Sequence, residues 1–124
     1  MFVPDTCCTF VPYFEIQDGH LEAFKALVLK LVAKTRTEPG CMHYAFSFNG
    51  NVAHCREGYV DANALLTHRE NVAELIGQAL KIAKIIRLEI HAPEAEIDKL
   101  RGPMASRNPE FFALEEGFRR SGEA

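Results

Sequence analysis

Residues 41–60 read CMHYAFSFNGNVAHCREGYV. Two runs rich in aromatic and apolar residues, Cys41 to Phe48 and Asn51 to Val60, flank Asn49-Gly50, the dipeptide favoured in two-residue type I′ turns. The pattern predicts a β-hairpin in which Phe48 faces Asn51 and Phe46 faces Ala53. Side chains alternate between the two faces of a strand. Met42, Tyr44, Phe46 and Phe48 therefore share one face with Ala53, Cys55, Glu57 and Tyr59, and that face is apolar enough to be a core. Cys41, His43, Ala45 and Ser47 share the other with Val52, His54 and Arg56, a mixed set suited to an interface.

The elements on either side complete a fold. Upstream, Thr9 to Ile16 alternates as a strand, with Phe10, Pro12, Phe14 and Ile16 on one face. Pro12 cannot donate a ladder hydrogen bond, so an edge position or a bulge is expected there. Asp18 is a good N-cap for a helix from Gly19 to Thr35, striped by Leu21, Phe24, Val28, Leu31 and Val32. Glu38-Pro39-Gly40 stops it. Downstream, Asp61 caps a second helix from Ala62 to Leu80, with Leu65, His68, Val72, Leu75 and Ala79 on its apolar stripe. Lys84 to His91 follows as a strand with Ile86, Leu88 and Ile90 inward. Pro93 opens a short helix that Gly102-Pro103 ends. The tail from Asn108 holds Phe111, Phe112, Leu114 and Phe118, too apolar to hang free, and docks as a strand or a helix.

The order is β-α-β-β-α-β plus an extension. The predicted fold is α+β and ferredoxin-like, an antiparallel sheet with two helices on one face. One domain spans residues 1–124, with a core at 9–92 and a C-terminal extension at 93–124. The uncovered sheet face carries Val11, Tyr13, Cys41, Ala45, Val52 and His54, too apolar to face water. A second copy related by a two-fold axis covers it most simply, which predicts a homodimer.

Composition narrows the functional classes. At 124 residues and 48% hydrophobic, the chain can bury a core without staples. A net charge of −3 gives no basic footprint for nucleic acid. No apolar run approaches the ~18 residues of a membrane span. The N-terminus lacks the pattern of a signal peptide. Cys7, Cys8, Cys41 and Cys55 lack paired zinc-ligand spacing, and are expected to be free thiols in the cytoplasm. No Ser-His-Asp order or glycine-rich phosphate loop is present, and neither a metal nor a cofactor is expected.

The run Arg56-Glu57-Gly58-Tyr59-Val60-Asp61-Ala62-Asn63-Ala64-Leu65-Leu66-Thr67-His68 resembles the antibiotic biosynthesis monooxygenase-like domains of the dimeric α/β-barrel superfamily. Those show Glu-x-aromatic at a strand end, then an Asp-capped helix with a small residue, a leucine and a histidine two turns in. Glu38-Pro39-Gly40-Cys41-x-x-Tyr44 resembles the same family's entry to its second strand. The resemblance covers residues 9 to 92. It implies a cofactor-independent monooxygenase acting on a small phenolic or quinol-type aromatic, bound between the sheet and the second helix. The haem-degrading branch fits less well, since it relies on a tryptophan and this chain has none.

His68 is the candidate catalytic residue. An imidazole near neutral pKa on an apolar helix face can hold or move a phenolic proton. The plainer alternative is a core histidine paired with Glu57. Tyr44, Glu57, Tyr59, Phe14 and Val72 are the candidate substrate-binding residues; ordinary core packing is the plainer reading of the tyrosines and Phe14, and a pair with His68 that of Glu57. His43 and His54 are expected as diagonal neighbours with Arg56 opposite His43, a poor cation site. The competing function is a non-enzymatic dimer that binds a small ligand or serves a stress response.

Overall fold

The hairpin forms, but around a different turn. In the computed structural model, which describes residues 1–120, β3 (Cys41–Asn49) and β4 (Val52–Tyr59) pair with Asn49 opposite Val52 and Phe48 opposite Ala53. The loop is Gly50-Asn51 rather than Asn49-Gly50. Gly50 alone takes a left-handed φ of 59°, at the first loop position. That is the glycine placement of a type II′ turn, in which only the first residue needs positive φ. The register moves by two residues, so the expected faces survive. At the far end Met42 is squeezed out by a bulge between Cys41 and His43. Cys41 therefore packs on the core, and Met42 rather than Cys41 is exposed.

β2 (Cys8–Ile16) pairs with β4 on one side and β5 (Ala83–Ala92) on the other, both antiparallel. Pro12 is thus central, not at an edge. Its missing donor appears as a lapse in the β2–β4 ladder, where pairing skips from Phe10–Glu57 to Tyr13–His54. The β2–β5 register also shifts between Tyr13 and Phe14, opposite Ile85 and Arg87. The extra residue is Ile86, which turns outward and is 49% exposed while Ile85 faces the core. The expected inward place of Ile86 was an alternation rule carried across this bulge.

Helix α1 (Leu21–Thr35) begins two residues later than the Asp18 cap predicts. Gly19, at φ 83°, turns the chain first, leaving His20 at the cap position with no side-chain cap bond. Helix α2 (Ala62–Ala79) starts as expected, with the Asp61 carboxylate accepting from Ala64 N at 2.8 Å. Both helices cover one face of the sheet. Phe14, Ile16, Phe24, Ala53, Ala79 and Ala83 fill one end of that layer. Tyr59, Ala62, Leu65, Leu88 and Ile90 fill the other.

The extension docks as a strand. Helix α3 (Glu94–Leu100) and a 3₁₀ turn (Ala105–Arg107) carry the chain back to β6 (Glu110–Ala113), which joins β5 in parallel. Strand β7 (Phe118–Arg120) pairs with β1 (Phe2–Pro4) in a separate ribbon. The main sheet order is β3-β4-β2-β5-β6, the ferredoxin-like arrangement with one added strand. Residues 121–124 of the tail lie outside the described residues. Among the described residues, no helix is long and apolar enough to cross a membrane.

Candidate active site

Between the two packed ends of the helix–sheet layer lies a cavity of about 580 Å³. Its floor is the sheet, through Phe10, Pro12, Phe14, Tyr44, Phe46 and Glu57. One wall is α2, and the other is closed by Pro103, Met104 and Arg107 of the extension. Volume and apolar lining match a small-molecule site.

His68 stands in this cavity's wall while remaining only 3% exposed. Three further elements hold it. The two carboxylate oxygens of Glu38 lie 3.1 and 3.0 Å from His68 Nδ1. The Glu57 carboxyl reaches His68 Nε2 at 3.3 Å. The Tyr44 and Tyr59 rings each lie 5.2 Å from the imidazole, centre to centre. Glu38 also accepts from Asn71 Nδ2 at 2.7 Å, which fixes its plane. A carboxylate at Nδ1 assigns the hydrogen to that nitrogen and leaves Nε2 with a lone pair that faces the Glu57 carboxyl.

The chain reaches this geometry by close packing. A Cβ on Gly40 would come within 2.6 Å of the Ala64 Cβ, so the loop after α1 lies directly on the first turn of α2. Ala64 and His68 are one turn apart on the same helix face. Glu38, two residues before Gly40, is thereby delivered beside the imidazole. Val60 N donates to Gly40 O at 3.0 Å and secures the loop from the other side.

Burial sets the protonation states. It pushes the Glu57 carboxyl up to about 8, against the lowering effect of hydrogen bonds from Tyr59 and Cys55. Tyr59 O–H donates to Glu57 Oε1 at 2.5 Å. Burial also lowers His68, while the Glu38 charge and hydrogen bond pull it back up. Near neutral pH the site therefore holds a protonated Glu57 beside a neutral imidazole whose Nδ1–H is anchored to a carboxylate. One group can give a proton and its neighbour can take one. Burial raises the Tyr44 and Tyr59 hydroxyls as well, so both stay protonated donors.

The structure brings together His68, Glu57, Tyr44, Phe14 and Val72 around the cavity. Tyr59 does not line it; fully buried, it stands behind Glu57 and supports it. Glu38 was missed as a site residue. Its partner lies thirty positions away along the chain, and in sequence it reads only as part of a helix stop. His43 and His54 are not neighbours. His43 faces Gly58, with its ring lying where a Gly58 side chain would be, and His54 faces Ser47, its ring 4.9 Å from that of Tyr13. The two-residue register change separates the pair, and Arg56 faces Ala45 instead of His43. The expected diagonal contact does not form.

The profile of the family described as antibiotic biosynthesis monooxygenase matches residues 9–73, just over half of the chain. Among solved structures, MupZ from Pseudomonas fluorescens is 51% identical, with a TM-score of 0.91 over 97% of this chain and 99% of that one. Rv0793 from Mycobacterium tuberculosis is 22% identical, with a TM-score of 0.63 over 71% of this chain and 95% of that one. A structure described as an antibiotic biosynthesis monooxygenase is 21% identical, with a TM-score of 0.58 over 65% of this chain and 94% of that one. No curated protein matches.

Proposed function

Because the chain belongs to the antibiotic biosynthesis monooxygenase family, we propose that it is a monooxygenase that works without a resident cofactor on a phenolic or quinol-type aromatic held in the cavity. The observation that carries this reading is His68. Its Nδ1 is committed to Glu38, and its Nε2, 3.3 Å from the Glu57 carboxyl, lies in the wall of an apolar cavity of about 580 Å³. A substrate hydroxyl that takes the place of the Glu57 carboxyl at Nε2 gives up its proton there, and the Glu38 carboxylate stabilises the imidazolium that forms. The electron-rich anion left in the cavity then reacts with dioxygen. One oxygen atom enters the ring and the other leaves as water, the substrate supplying the electrons. In this reading Glu57, whose carboxyl burial holds protonated near neutral pH, gives a proton to the departing oxygen. Tyr44, Phe14 and Val72 orient the ring, and Tyr59 acts through Glu57.

The same reading includes a homodimer that covers the open sheet face, where Tyr13, Ala45, Val52 and His54 are half-buried. A cytoplasmic setting is supported by four free cysteines, Cys7, Cys8, Cys41 and Cys55. Oxygen uptake by the purified protein with a panel of quinols tests the activity. Uptake that falls at least about a hundredfold in His68→Ala supports it. No uptake, or uptake untouched by that change, overturns it and leaves ligand binding as the function.

A further inference from the structure

The cavity is large for a one- or two-ring quinol. At about 30 Å³ per water-sized group, its roughly 580 Å³ has room for about twenty such groups. Its lining is apolar except at two places, the His68–Glu57 site on the floor and the mouth, where Arg69, Glu70 and Arg107 stand. We infer that the substrate carries an anionic group, carboxylate or phosphate, which Arg107 and Arg69 hold at the mouth while its apolar body fills the cavity. The inference rests on the cavity being the substrate site, and it names what that substrate must look like.

The two arginines are presented differently from the others nearby. Arg87 is spent on Glu89 and Glu110, and Arg101 on Glu94 and Asp98. Arg107 faces no carboxylate among the described residues. It closes the 3₁₀ turn, its N–H donating to Met104 O at 3.0 Å, and the left-handed Asn108 at φ 48° follows it. Arg69 Nη1 donates to Pro103 O at 3.0 Å, which holds its guanidinium across to the extension and leaves its remaining donors without partners among the described residues. Glu70 opposes these charges on the same rim, so the mouth carries two cations against one anion.

A second hollow of about 330 Å³ adjoins the first, sharing Ile85, Leu88 and Arg107 with it and adding Lys84 and Ser106. Lys84 is paired with Glu15 at 3.3 Å. Arg107 thus stands on the ridge between the cavity and this second hollow, whose lining is apolar at Leu80, Ala83, Ile85 and Leu88 and polar at Lys84 and Ser106. All of these groups except Arg69, Glu70 and the β5 residues belong to the extension, beyond the residues 9–73 that match the family profile. The part of the wall that carries Arg107 thus lies outside the family-profile residues but within the 97% of the chain that matches MupZ.

The test uses two fluorescent probes with the same aryl body, 8-anilinonaphthalene-1-sulfonate and the uncharged N-phenyl-1-naphthylamine. The anionic probe is expected to bind about fivefold more tightly, as suits a charge-assisted contact at an exposed mouth. Raising salt toward 1 M should erase the preference. Arg107→Gln should lower the affinity for the anionic probe by about the same factor and leave the neutral probe within twofold, and Arg107→Glu should reverse the preference. Competition by dodecanoate and dodecyl phosphate, against dodecanol, shows which anion is held. Equal affinity for both probes, or an Arg107→Gln effect shared by both, overturns the inference and leaves the cavity as a neutral-ligand site. If neither probe binds, or if Ala73→Trp at the mouth displaces neither, the cavity is not a ligand site and the proposed function falls with the inference.

Discussion

Replacing Glu57 by glutamine should make the protein more stable at high pH. The side chain is fully buried, and burial lifts its carboxyl from an ordinary value of 4.5 to about 8. A group whose folded pKa is raised holds its proton more tightly in the folded state than in the unfolded one. The stability it contributes is complete below pH about 4.5 and is lost as pH rises to about 8. At about 1.4 kcal/mol per pH unit the full loss approaches roughly 5 kcal/mol, and water in the cavity screens part of it, so about 2–3 kcal/mol is expected. Glutamine mimics the protonated acid and still offers Tyr59 an acceptor, but it has no proton to lose. His68, lowered by burial, contributes the opposite slope, losing stability as pH falls below 6.5. That slope is common to both proteins and cancels in their difference. Urea unfolding at pH 5, 7 and 9 measures the outcome. With a slope of about 1–3 kcal/mol per molar urea, the Glu57→Gln midpoint should lie near the parent's at pH 5 and about 1 M above it at pH 9. A difference that stays constant across the three pH values would refute the burial argument.

Glu38→Gln keeps one acceptor for His68 but removes the charge that raises the imidazole and one bond to Asn71. The His68 titration, followed by NMR, should move to still lower pH, and turnover of any quinol substrate should fall about a hundredfold. An unmoved titration would show that Glu38 does not tune the ring. Gly40→Ala sets a methyl against the Ala64 side chain, and urea unfolding should register a cost of about 1–3 kcal/mol. Pairing it with Ala64→Gly should restore most of that. Val52→Glu puts a charge on the open sheet face, where Val52 is half-buried; Val11, expected on that face, is already buried within the protomer. Light scattering should then give the 13.9 kDa monomer mass for the variant and twice that for the parent. A monomeric parent would contradict the reading of that face.

Much of this architecture was legible in the sequence because faces obey short-range rules. The helix-side face of β3 and β4 was identified correctly although the register was not, since a slip of two residues leaves every side chain on its side of the sheet. The register itself depended on which of Asn49, Gly50 and Asn51 takes positive φ, a choice the dipeptide preference does not make. Met42 and Ile86 were misplaced for one reason, that each occupies a bulge and alternation cannot see across one. His68 was visible as a polar residue on an apolar stripe. Glu38 was invisible because its role exists only once Gly40 meets Ala64. The four residues of β6 were too few to show a period, so the tail's docking as a strand had to come from the structure.

The parallel seat of β6 beside β5 bears on how copies of this chain meet. A sheet with a bare rim can recruit the rim of its neighbour and keep growing. Here one rim is the chain's own β6, only four residues long, and the other, β3, is interrupted at Met42 by the bulge. Backbone-to-backbone addition is discouraged at both sides. That leaves the broad surface of the sheet, where the proposed two-fold contact would use up the available area and bring assembly to a stop.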